Sequence, residues 1–203
     1  MATQLIKIAI TGGPSGGKTT LIEALKKELG PQCAVVPEAA SILYKGGYPR
    51  SRSVVALMHT QKAIYYTQRE LEAQIISDYD QRLVVCDRGS LDAEAYWPKE
   101  SELSFFEAVN STRNQELARY DWVLHLDTAS QDFYDTSNPI RLESYHEAMD
   151  LNERIKKAWN GHPKRIVIGQ NSDFLSKMMT SLAVIRAIMA HGEVDQVLKL
   201  AKA

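Results

Sequence analysis

The chain has 203 residues, of which 44% are hydrophobic, with 24 Lys plus Arg against 25 Asp plus Glu. A net charge near −1 leaves no basic excess or stripe of the kind a general nucleic-acid binder carries, so no nucleic-acid partner is expected. Two cysteines, Cys33 and Cys86, are too few for a disulfide framework or a zinc site, and no apolar run is long enough to span a bilayer. One cytoplasmic domain over residues 1–203 is the expectation.

Residues 5–11 (LIKIAIT) are a short apolar, β-rich run and predict a buried strand. Glycines at 12–17 break it. Leu21, Ile22, Leu25 and Leu29 then recur at helical spacing, until Gly30-Pro31 stops the helix. CAVVP at 33–37 predicts a second strand. Residues 38–52 begin helical and turn to loop around Gly46-Gly47 and Pro49. Residues 54–79 carry few breakers and predict one long helix. RLVVC at 82–86 predicts a third strand, 101–118 a helix, and WVLHL at 122–126 a fourth strand. Residues 128–140 are polar loop, 142–159 a charged helix and 165–168 a fifth strand. Helices over 172–190 and 194–203 finish the chain. This alternation predicts an α/β, three-layer fold with a mostly parallel five-stranded sheet.

Gly12-Gly13-Pro14-Ser15-Gly16-Gly17-Lys18-Thr19 fits G-x-x-x-x-G-K-[ST] without a mismatch, with a predicted strand before it and a helix after it. Glycines let backbone N–H groups turn inward around an anion, and the helix N-terminus adds partial positive charge. A nucleoside triphosphate with Mg²⁺ is the expected ligand. Lys18 is expected on the β- and γ-phosphates, Thr19 on Mg²⁺ and Thr20 near the α-phosphate.

Ligands of open α/β sheets bind beyond the carboxyl ends of the strands. Glu38 follows the second strand, Asp87-Arg88 the third and Asp127 the fourth. Asp87 is expected to hold Mg²⁺ directly or through water, and Arg88 to meet phosphate or acceptor. Glu38 reads as the general base for an acceptor hydroxyl, or as a carboxylate favoured by a helix dipole. Asp127 reads equally as a cap or a substrate contact. Between the fourth strand and the charged helix, a lid over about 128–145 is expected to carry Arg141, with Arg154 as second choice, to neutralise the transferring phosphoryl group. Arg50 and Arg52 are expected on the acceptor side. Gln61, Tyr65, Tyr66, Gln68 and Arg69 either face the acceptor or pack as an ordinary helix. Trp97 is expected to wall the acceptor pocket.

In chain order, ITGGPSGGKTT, VVPEAA, VVCDRGSLDAEAYW, IRLESYHEAMDLNERI and GQNSDFLSKM resemble the small P-loop "AAA domain" family. That family includes the ribosylnicotinamide-kinase half of NadR and the nucleotide-binding half of the TRPL translocation defect protein. The resemblance spans roughly residues 5–190. The order of Asp87-Arg88-Gly89 and lid is also similar to deoxynucleoside and thymidylate kinases. It implies Glu38 as base and Asp87 with Arg88 as the metal and acceptor pair. No room is expected for the helical lid domain of a ring ATPase or for the second domains of these relatives, so their partner functions are not carried over. ATP is the expected donor and GTP stays open. N-K-x-D is lacking, and Asn171 and Asp173 are expected near the base edge. The expected function is transfer of the γ-phosphate of ATP to a small hydroxyl acceptor such as a nucleoside. The alternative is a nucleotide-dependent switch or NTPase acting through a protein partner. Oligomeric state is open.

Overall fold

A computed structural model of the chain describes residues 5–78, 82–131, 144–169 and 173–201. Each apolar run read as a strand forms one. β1 (Ile6–Thr11), β2 (Cys33–Val36), β3 (Leu83–Asp87), β4 (Trp122–Leu126) and β5 (Arg165–Ile168) pair in the order β2-β3-β1-β4-β5. Every pairing is parallel. Strands covered on both faces read as continuous apolar runs rather than alternating ones, and β4 is buried at all its positions.

Successive side chains of a strand point to opposite faces, so the sheet has two cores. On one face Ile8, Ile10, Val85 and Leu124 meet Leu21 and Leu25 of α1 (Lys18–Leu29) and Val184 and Ile185 of α8 (Phe174–Met189). Val197 of α9 (Val194–Leu200) closes that side. On the other face Ala9, Val84, Cys86 and Val123 meet Leu151 and Ile155 of α7 (Tyr145–Ala158), together with Tyr120 and Trp159. α2 (Ala39–Lys45), α3 (Val54–Asp78) and α4 (Asp92–Ala95) close over the carboxyl ends of β2 and β3. The strand order reverses around β1, which places the binding crevice beyond the end of that strand.

The expected helix over 101–118 is instead two short ones, α5 (Phe105–Val109) and α6 (Arg113–Leu117). Ser104 and Glu107 cap α5 reciprocally, Asn110 ends it in the left-handed region at φ 50, and Thr112 caps α6. α4, just after Asp87-Arg88, was not anticipated. α7 starts at a second reciprocal box, Ser144 with Glu147. Most of the expected lid, residues 132–143 with Arg141, lies outside the described residues.

Candidate functional site

The phosphate loop runs from β1 into α1 in a shape that glycine alone allows at its first position. Gly12 has φ 125, and a Cβ there would lie 2.0 Å from the Leu126 carbonyl oxygen. Lys18 is buried, 8% exposed, and its Nζ donates to the carbonyls of Gly12 at 2.9 Å and Gly13 at 2.7 Å. Burial lowers its pKa to about 7, with Arg88 adding to the shift and Asp87, Glu38 and Asp92 opposing it. The N–H of Gly13 donates to Asn152 Oδ1 at 3.0 Å, which ties the loop to α7. Thr19 and Thr20 are exposed on the first turn of α1.

Arg88 is the hub of the acidic side. It takes a left-handed conformation, φ 70, at the end of β3. Its Nε donates to Glu38 Oε1 at 2.6 Å and its Nη1 to Asp92 Oδ2 at 3.1 Å. Glu38, at the cap position of α2, also accepts from Ser41. Burial opposes its ionisation, but Arg88, Ser41 and Lys18 outweigh that and hold its pKa below the ordinary value. Asp87 moves the other way. Burial first and the neighbouring Glu38 next raise it, against Arg88 and Lys18. Asp92 further accepts from Thr11 Oγ1 at 2.7 Å and from Trp159 Nε1 at 2.6 Å.

One cavity of about 540 Å³ joins these groups. Pro14, Ser15, Lys18 and Thr19 line it, as do Glu38, Asp87, Arg88 and Asp92. The wall continues along α2 and α3 with Tyr44, Gln61, Tyr65 and Gln68, and Arg50 lies on it too. Tyr66, Arg69 and Arg52 are not part of that wall. Trp97 is not either. Its ring is buried against Phe105 and its Nε1 donates to Leu103, while the neighbouring Tyr96 takes the place expected for it. Arg154 donates to the Trp97 carbonyl at 2.9 Å.

Asp127 stands apart from this cavity, paired with Lys156 at 2.8 Å and accepting from Asn152 at 2.9 Å. Burial works against its charge, yet His125, Asn152 and Lys156 hold its pKa well below the usual carboxylate range. Asp173 accepts from the Ser176 N–H at 3.0 Å, so its carboxylate is spent on capping α8. Arg141 and Asn171 lie outside the described residues. Sequence reading passed over Asp92, Tyr96 and Asn152. Asp92 had a signal, since it lies four residues after Arg88, one helical turn away. Asn152 had none.

Residues 7–175 match the model of a family described as an AAA domain. The chain belongs to this AAA domain family. Among curated protein sequences none matches it. Solved structures extend the likeness. Deoxyadenosine kinase from M. mycoides with bound dATP is 14% identical, with TM-score 0.61, over 89% of this chain and 99% of the kinase. The same kinase with bound dCTP is 15% identical, with TM-score 0.59, over 90% and 100%. NadR protein in complex with NAD and AMP-PNP is 14% identical, with TM-score 0.64, over 92% of this chain and 50% of the NadR chain. At such identities the likeness is one of fold, so this AAA domain member has a P-loop kinase-like fold. Among the described residues no helix is long and apolar enough to cross a membrane. No cluster of three or more His, Cys, Asp or Glu side chains suited to a metal occurs among them either.

Proposed function

We propose that residues 1–203 form one magnesium-dependent kinase domain that works in the cytoplasm and transfers the γ-phosphate of ATP, or of GTP, to a hydroxyl of a nucleoside-sized metabolite. The supporting observation is the single cavity of about 540 Å³ whose wall holds Lys18 and Thr19, then Glu38, Asp87 and Arg88, then a further surface from α2 and α3. A switch or NTPase would use only the first part of it.

Bound phosphates take over the Lys18 ammonium from the carbonyls of Gly12 and Gly13. The loop amides and the N-terminus of α1 cradle the remaining charge. Glu38, ionised and fixed by Arg88 and Ser41, orients the acceptor hydroxyl and takes its proton. The acceptor O–P bond forms, the bond between the γ-phosphorus and its bridging oxygen breaks, and the diphosphate leaves. Thr19 and Asp87 share the cavity and would hold Mg²⁺. A cation there fits Asp87, whose burial disfavours an uncompensated charge. When bound, the ion supplies charge neutralisation at the phosphates.

Glu38→Gln tests the reading, because it keeps size and hydrogen bonding but removes the base. Single-turnover transfer should fall roughly 10²–10⁴-fold while AMP-PNP affinity stays close to wild type. The acceptor comes from a thermal-shift screen run with and without AMP-PNP. A wild-type transfer rate in the variant removes Glu38 from the mechanism. AMP-PNP binding without transfer to any acceptor favours the switch.

A further inference from the structure

The charges on the cavity wall divide by place. At the phosphate end they answer one another, with Arg88 between Glu38 and Asp92 and Lys18 on its own loop. Those two acids and Asp87 are the carboxylates among the described lining residues. Two further cations line the same cavity. Lys45 is the last residue of α2, and Arg50 follows in the segment leading to α3. Among the described residues neither is ion-paired with a carboxylate.

Arg50 is held in place. Its guanidinium carbon sits 4.2 Å from the Tyr44 ring centroid, over the face of the ring. Stacking of this kind fixes the plane of the fork and leaves its N–H edge for an oxyanion. Glu38 occupies the cap position at the start of α2 and Lys45 ends the helix seven residues on, so their backbone positions stand about 10 Å apart along its axis.

We propose that Lys45 and Arg50 form an anion subsite, so that the phosphoryl acceptor carries a hydroxyl near Glu38 and a carboxylate or phosphate toward the far end of α2. The inference rests on the kinase reading and adds the charge class of the acceptor. A neutral nucleoside leaves both cations facing water alone, and a cationic nicotinamide nucleoside meets repulsion there. A carboxylate or phosphate instead gains charge-assisted hydrogen bonds, bidentate from Arg50.

The test is calorimetric titration of the full chain with Mg²⁺ and AMP-PNP present, using four probes. Pantothenate is the carboxylate arm, a deoxynucleoside 3′-monophosphate the phosphate arm, the parent deoxynucleoside the neutral arm and nicotinamide riboside the cationic arm. One anionic probe should bind at least about tenfold more tightly than the neutral and cationic ones, and more weakly as salt rises. Arg50→Ala and Lys45→Ala should each cost it about tenfold, Lys45→Arg should restore most of the loss, and Arg50→Lys should restore only part of it, because lysine keeps the charge and loses the stacked fork. AMP-PNP binding by each variant reports that it is folded. Tightest binding by the deoxynucleoside or by nicotinamide riboside, unmoved by either alanine, overturns the subsite. So does AMP-PNP binding with no probe bound. Failure of the kinase reading is separate, because an anionic probe would then bind through Arg50 and Lys45 yet never be phosphorylated.

Discussion

Lys18 reports the ligand-free site through its own protonation. With its pKa near 7, ammonium and amine coexist at neutral pH, and burial is the main reason. Phosphate oxygens favour the charged form and raise that pKa. Nucleotide binding above pH 7 should therefore take up a proton, and affinity should weaken as pH rises from 7 toward 10. ADP at pH 8 isolates the effect, since its own last phosphate ionisation lies near pH 6. Calorimetry in buffers of different ionisation enthalpy should give close to one proton taken up at pH 8 and none from this group at pH 6, where Lys18 is already protonated. Zero uptake at pH 8 would mean the lysine stays charged without ligand. The same depressed value makes the ligand-free fold gain stability as pH rises from 7 toward 10, because the unfolded chain binds the proton that the folded one has lost. Lys18, Glu38, Asp87 and Arg88 were legible because a motif or a strand end marks each of them. Asp92 and Asn152 owe their places to contacts with Thr11, Trp159 and Gly13 that only the tertiary fold makes.

At the level of elements, α3 shows why polarity alone misleads. Gln61, Tyr65, Gln68 and Glu72 recur at helical spacing and are all buried, so this polar stripe faces inward. Glu72, 1% exposed, accepts from Lys7 Nζ at 2.8 Å, Arg119 Nη2 at 2.7 Å and Tyr120 OH at 2.6 Å. Gln68 donates to Glu72 and to the Arg88 carbonyl, so the network that pins α3 also braces the residue between Glu38 and Asp92. Glu72→Leu would leave Lys7 and Arg119 without their shared carboxylate. Urea unfolding should show a loss of about 3–5 kcal/mol. A loss below about 1 kcal/mol would place this network among the weak surface pairs. The strands were easy to read because parallel strands packed between helices form short, mostly apolar runs. The region 101–118 was not. Its residues favour helix, but the left-handed turn at Asn110 and the cap at Thr112 divide it.

For the whole molecule, the site draws on both halves of the sheet. The phosphate loop leaves β1, Asp87 ends β3, and Asn152 ties the loop to the α7 layer beside β4. An unfolded chain retains none of this arrangement, so a ligand of the site should stabilise the native state by mass action. At one hundred times its dissociation constant, Mg²⁺–AMP-PNP should contribute about 2.7 kcal/mol. For a chain of 203 residues, with each kcal/mol worth about 2–4 °C, that is a rise in Tm of roughly 5–10 °C. Scanning calorimetry also tests the expectation that residues 1–203 are one domain. A single transition should move as a whole, because β1, β2, β3 and β4 each contribute side chains to the cores on both faces of the sheet. Two transitions, only one of them shifted by nucleotide, would divide the chain into separate units. Lys18→Ala should keep the ligand-free transition within a few degrees of wild type and lose the nucleotide shift, because the variant removes the cation proposed to meet the phosphates without touching either core. A full shift in that variant would locate nucleotide binding outside the phosphate loop.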